Sequence, residues 1–348
     1  MMERSFRLST KPINLIVRMR KWLFVFICSI IALSSFAQSK LPGEKPLEII
    51  VAADGSGKYK TVQQAFDAVP TDNKMPVTIY IKAGVYKEKL QLGAAKKMVT
   101  IIGEDKFNTI LTYDDHTGKI APDGVAINTR TSHSVLIEAD QFTAKNICFQ
   151  NDAGFTAGQA VAVESNGDKA VFDNCRFIGF QDVLFLNNPL SRQYFNNCYI
   201  EGTTDFIFGP STAWFEKCHI HSKKNSHLTA ASTPKENAIG FVFYDCVLTG
   251  DTSLHGVSLG RPWKPYASVT YLHCYIGSHI LGEGWNNWKN PDNEKTARYG
   301  EYENYGPGAA TPARLGWIKQ LTKTEAKGFT LKSVFGDWNP VEQLKIKN

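Results

Sequence analysis

Residues 202–209 read "GTTDFIFG", and their one acid, Asp205, sits among glycines and large apolar side chains. Moving an unpaired carboxylate out of water is costly, so this acid needs a partner or a task. Three more polar residues stand in similar settings upstream: Gln159 in "GQAVAV", and Gln181 and Asp182 in "FQDVLF". Gln159 and Gln181 are 22 residues apart, Asp182 and Asp205 are 23 apart. A chain that returns on itself at this interval brings all four onto one face. Two carboxylates on neighbouring strands, about 5 Å apart, repel each other. The more desolvated one then keeps its proton near neutral pH. One acid can attack or abstract, the other can donate, and the two amides offer N–H to a developing oxyanion. "SLGRPW" (258–263) adds Arg261, a permanently cationic fork able to hold Asp205 ionised, and Trp263, a flat apolar face for a sugar ring. Two plainer readings compete. The first is a row of Asp and Gln side chains satisfying turn amides, and the second is a surface loop with an Arg–aromatic stack. In a strand over 206–208, alternation puts Phe206 and Phe208 on one side and Ile207 on the other.

The elements that would position these residues show as a repeat. "VFDNC" (171–175), "YFNNC" (194–198), "WFEKC" (214–218), "VFYDC" (242–246) and "TYLHC" (270–274) follow one another at 23, 20, 28 and 28 residues. An earlier copy, "FTAKNICFQN" (142–151), has Ile147 in the cysteine position. Self-similarity at this period marks a solenoid, and short Val/Ile/Phe/Tyr runs between Gly, Asn and Asp turns make its units strands. The fold class is therefore all-β, a parallel β-helix in which stacked coils share one interior column. The repeated cysteines should form a ladder inside it, either with a Cys198–Cys218 disulfide or as reduced buried thiols. "TVQQAFDAVP" (61–70) has a helical apolar pattern and is expected to form a short N-terminal capping helix.

At the N-terminus, Arg18, Arg20 and Lys21 precede an apolar run from Leu23 to Leu33 and small residues before a cut after Ala37. Residues 1–37 thus read as a cleaved signal peptide, with Met19 as an alternative start, and 38–44 as a linker. The apolar run is shorter than a membrane span, so a secreted or periplasmic protein is expected. The 348-residue chain has 39 Lys/Arg and 33 Asp/Glu. Six of those bases and one of those acids lie in residues 1–37, leaving 33 against 32, a net charge of +1. Nothing in that balance favours nucleic acid as a partner.

"GQAVAV", "QDVLF", "GTTDFIFG" and "LGRPW", in this order, resemble the pectinesterase (pectin methylesterase) family. The likeness extends to "VAADGSGKYKTVQQAFDAVP" (51–70), "IKAGVYKEKL" (81–90), "FQNDAG" (149–154) and "YGEYENYGPGA" (299–309). It implies a catalytic domain over 45–342, a right-handed parallel β-helix that hydrolyses galacturonate methyl esters of pectin as a monomer, without metal or cofactor. It further implies Asp205 as nucleophile, Asp182 as acid then base, and Gln181 as oxyanion hole. Gln159 and Thr129 of "NTRTSHS" would contact substrate, Arg261 would orient Asp205, and Trp263 would pack on the sugar. Val183 and Phe185 depart from the Thr and Tyr common in the family, and "NNPLSR" (187–192) reads as a loop beside the cleft.

Paired carboxylates on a β-helix also suit glycoside hydrolysis. The complete Asn-Thr-Asp, Asp-Asp and Gly-His-Gly set of such enzymes is not found in the sequence. A calcium-dependent lyase would need an acidic ligand cluster that the central coils lack. A non-catalytic polysaccharide-binding coil, and an esterase acting on a different ester, are the other readings. His219 and His221 of "CHIHS", with His227 beyond, could suggest zinc, but without a fourth ligand they read as polar surface residues.

Overall fold

The computed structural model describes residues 46–345. The expected signal peptide and linker lie outside the described residues. The described residues form strands that pair in parallel into three sheets of 11, 8 and 7 strands. One coil runs Ala170–Asp173 in the first sheet, Arg176–Ile178 in the second and Leu184–Leu186 in the third. The next coil begins at Arg192–Asn196 in the first sheet again. The fold is a right-handed parallel β-helix, the hand that a right-twisted strand imposes on parallel crossovers. Register follows the repeat: Ala170 pairs with Gln193, Gln193 with Ala213, Ala213 with Phe241 and Phe241 with Val269. Those are the same intervals that separate the cysteines.

The corner between first and second sheets explains why each copy reads aromatic, polar, cysteine. Asn146, Asn174, Asn197, Lys217, Asp245 and His273 all hold φ between 51 and 56°. A left-handed residue at this point turns the chain sharply, and Asn accepts that conformation more readily than most residues. The next side chain then points inward: Ile147, Cys175, Cys198, Cys218, Cys246 and Cys274 are all buried. Beside them runs a ladder of rings, Phe172, Phe195, Phe215, Phe243 and Tyr271. Successive centroids are 4.8, 4.6, 4.5 and 4.5 Å apart. Parallel strand spacing and offset ring stacking require nearly the same separation, so the backbone ladder and the ring ladder reinforce each other.

The six cysteines of the described residues are free, which decides the ladder in favour of reduced thiols over a Cys198–Cys218 disulfide. Cys198 donates to the Phe172 carbonyl at 3.4 Å and Cys218 to the Phe195 carbonyl at 3.5 Å, each reaching the preceding coil. A disulfide needs the two Cβ–Sγ bonds to turn toward each other. In a parallel ladder they run side by side.

A helix, Val62–Ala68, buries Val62, Ala65 and Phe66 against Leu47–Val51 and Leu90–Leu92. Its first two N–H groups donate to the Glu88 carboxylate at 2.9 and 3.1 Å. At the other end of the chain, Phe335 and Trp338 pack on the outer face of the first sheet, over Val171, Tyr194, Trp214 and Val242. No element is expected there from the sequence. Helices Lys323–Ala326, Leu331–Phe335 and Pro340–Lys345 are four to six residues long, too short for a helical period to declare itself. No helix among the described residues is long and apolar enough to cross a membrane.

The free ladder predicts that a thiol reagent leaves the native protein unmodified. On protein lacking residues 1–37, unfolding without reductant should release six titratable thiols; a count of four would reveal a bridge.

Candidate active site

The two acids share one backbone device. Asp182 and Asp205 hold φ of 65 and 50°, at the corner where the chain enters the third sheet. The Asp182 amide donates to the Thr204 carbonyl at 3.1 Å and the Asp205 amide to the His227 carbonyl at 2.7 Å, so the coil ladder continues through the bend. Left-handed backbone costs a non-glycine residue about 1–3 kcal/mol, a strain found where surroundings over-determine it. Here the following residues, Val183 and Phe206, are fully buried in the central core while the acids line an outer cleft. This corrects the expected alternation after Asp205. Phe206 and Ile207 both pack inward, Phe208 faces out, and the strand begins only at Ile207. The bend at Asp205 breaks the period of two.

Leu184 pairs with Ile207, which puts Asp182 and Asp205 at equivalent places on neighbouring coils. Gln159 and Gln181 form a parallel bridge on the adjoining coils. Arg261 reaches Asp205 through two hydrogen bonds, Nε to Oδ1 at 3.0 Å and Nη2 to Oδ2 at 2.6 Å. Both carboxylates are buried, at 8 % and 6 % exposure. Burial raises the pKa of each. For Asp182 the negative charge of Asp205 adds to that rise, and Arg261 and Gln181 only partly oppose it, leaving it well above the usual range. For Asp205 the Arg261 fork acts directly against burial. Asp205 is therefore the first of the two to ionise, and Asp182 the one that retains a proton.

Thr129 arrives from a separate loop. Buried Asn151 secures that loop by donating to the carbonyls of Asp115, Ser132 and Val161 at 2.9, 3.2 and 3.1 Å. Ser132 in turn donates to the Thr129 carbonyl at 2.8 Å. Thr129, Gln159, Gln181, Asp182, Asp205, Arg261 and Trp263 all line one cleft of about 540 Å³. Its apolar wall is Phe185 stacked on Phe208 at 4.2 Å, with the Trp263 ring 6.3 and 6.0 Å from them. Trp263 is 40 % exposed, an open apolar face at the rim.

Two lining residues carry more than their sequence signal suggested. The Trp288 ring lies 3.7 Å from the Arg261 guanidinium carbon, so Arg261 contacts Trp288 as well as the Asp205 carboxylate. Its only sequence signal is an aromatic in the Gly/Asn-rich "GWNNW" (284–288). Asn187, from the expected loop 187–192, lines the cleft and donates to the Glu164 carboxylate at 2.9 Å. The two departures from the family pattern also separate: Val183 points into the core, and Phe185 forms the cleft wall.

His219 and His221 lie on the second sheet, sharing the Thr249 hydroxyl at 2.7 and 2.8 Å. His227 belongs to the third sheet, bonded to the Ser258 hydroxyl at 2.7 Å. Burial, aided by the charge of Arg261, holds His227 down to about 4. Among the described residues no group of three or more His, Cys, Asp and Glu is arranged to hold a metal.

The Pectinesterase family model matches residues 48–337. Pectinesterase 31 of Arabidopsis thaliana is 39% identical over 284 residues, covering 80% of this chain and 89% of that protein. A probable pectinesterase/pectinesterase inhibitor of Brassica napus is 39% identical over 311 residues, and the chain spans only 52% of its length. Among solved structures, the pectin methylesterase from carrot superposes with a TM-score of 0.77 at 35% identity, covering 84% of this chain and 94% of that one. A pectin methylesterase in complex with a hexasaccharide gives 0.76 at 26% identity, covering 85% and 99%.

The raised pKa of Asp182 has a stability consequence. Its folded value lies above the value of about 3.9 for an unfolded Asp, so the folded state binds more protons between the two. Stability is then lost as pH rises through that window. Asp182→Asn should raise the melting temperature more at pH 7 than at pH 4, read by calorimetry. An equal change at both pH values would contradict the assignment.

Proposed function

The chain belongs to the pectinesterase family, and on that footing we propose that it hydrolyses the methyl esters of galacturonate units in pectin, releasing methanol and leaving free carboxylates. The observation that carries the proposal is the asymmetric pair of acids on neighbouring coils, one forked by Arg261 and the other protonated by its surroundings. In this reading an Asp205 oxygen attacks the ester carbonyl carbon. The Gln181 amide, with Gln159 beside it, donates N–H to the oxygen that gains charge. Asp182 gives its proton to the methoxy oxygen, the C–O bond breaks and methanol leaves, with the galacturonyl group held on Asp205 as an anhydride.

Asp182, now a carboxylate, takes a proton from water. The resulting hydroxide attacks the same carbon, expelling Asp205 as a carboxylate and returning Asp182 to its protonated form. Asp182 carries out both proton transfers of the cycle, and the product acid ionises by losing its proton to solvent. Arg261 holds the attacking carboxylate ionised and aimed, Trp263 lies against the sugar ring, and Thr129 contacts the neighbouring part of the chain. Support for these roles comes from the shared cleft and the pKa order of the two acids. The apolar run at 23–33 supports export to the periplasm or cell exterior, where pectin is met, and since every side chain of the cycle comes from one chain, the protein is taken to act as a monomer.

Asp205→Ala should abolish methanol release from methylated pectin while circular dichroism stays native. Asp182→Asn should slow release by about 100-fold or more. Parallel assay of reducing ends separates esterase from glycoside hydrolase: methanol without new reducing ends is expected, and chain cleavage would overturn the proposal.

A further inference from the structure

On the outer face of the second sheet, at its corner with the first, lies a depression of about 270 Å³. It shares no lining residue with the cleft. Lys106, Arg176 and Lys217 stand around it with the rings of Phe107 and Tyr199. None of these three cations pairs with a carboxylate among the described residues. Lys106 donates to the Asn174 side-chain oxygen at 2.6 Å. The Arg176 guanidinium lies 5.0 Å from the Phe107 ring and 5.6 Å from that of Tyr199. The nearby acid Glu201 is already engaged by Tyr199 and Lys223, at 2.8 and 2.9 Å. Phe107 is 59 % exposed.

We propose that this depression is a second, non-catalytic binding site for an acidic polysaccharide, with sugar carboxylates on Arg176, Lys106 and Lys217 and a sugar face on Phe107. Like charges gathered without a counter-charge repel, and an anion relieves that cost. A phosphate would use the cations alone, whereas a uronic acid unit also brings a sugar face to the exposed part of the Phe107 ring. Assigning the polymer as polygalacturonate rests on the activity proposed for the cleft, whereas the anion site itself does not. A polymer anchored here raises its effective concentration at the cleft without changing the chemistry there.

The test is electrophoresis of the full chain through gels containing polygalacturonate, dextran or no polymer. Retardation by polygalacturonate alone is expected, weakened about fivefold or more in Lys106→Ala/Arg176→Ala/Lys217→Ala and by added salt. Methanol release from a short methylated oligomer should stay at the wild-type rate in that variant. Retardation unchanged in the triple variant and lost only with Trp263→Ala would place all binding in the cleft and overturn the proposal, as would equal retardation by dextran. If the wild type releases no methanol but shows charge-dependent retardation, the cleft reading fails and the second site stands. If the triple variant does not fold, Arg176→Gln and Lys217→Gln singly are read by the same criteria.

Discussion

The fork of Arg261 on Asp205 joins residues 56 positions apart, and the cleft is organised around it. Burial raises the pKa of both neighbouring acids, and the Arg261 fork opposes that rise directly at Asp205. The guanidinium breaks that symmetry by stabilising one charge with two parallel hydrogen bonds. Burial, together with that same negative charge, then keeps the proton on Asp182. A buried ion pair of this kind contributes little to net stability, because desolvation of both groups offsets their attraction. Its value lies in assigning different protonation states to two chemically identical side chains.

That fork is possible only because the coil has a fixed rise. Successive coils put equivalent positions one strand spacing apart, so Asp182 and Asp205 are neighbours by the same rule that stacks Phe195 on Phe215. The corners supply direction. A left-handed residue at each bend sends the next side chain into the column, as with Cys198 after Asn197, and leaves its own side chain outside. At most corners that outward residue is Asn, Asp, Lys or His in contact with solvent or a neighbouring turn. At Asp182 and Asp205 the same geometry turns a structural habit of the fold into a pair of cleft acids.

The walls of the cleft follow a different logic. Phe185 and Phe208 continue the coil register on the outer face, but Thr129, Asn187, Trp263 and Trp288 come from loops of unequal length. Trp288 lies on Arg261 because the loop after Trp285 turns back at two left-handed residues, Trp288 and Lys289. Such loops can alter what the cleft accepts while the acid pair beneath them keeps its spacing.

Arg261 was matched to Asp205 by its charge; the repeat, the parallel coil and the convergence of Gln159, Gln181, Asp182 and Asp205 were legible in the sequence as intervals. They depend on intervals of one or a few coils, and a stacked coil converts interval directly into proximity. The states of the cysteines, the inward turn of Phe206, the position of Trp288 over Arg261 and the helices covering Trp214 were decided only by the tertiary structure. Each depends on a direction, not an interval: which way a thiol points, how a left-handed bend resets alternation, where an irregular loop lands. Backbone dihedrals and packing set those directions, and no period in the sequence records them.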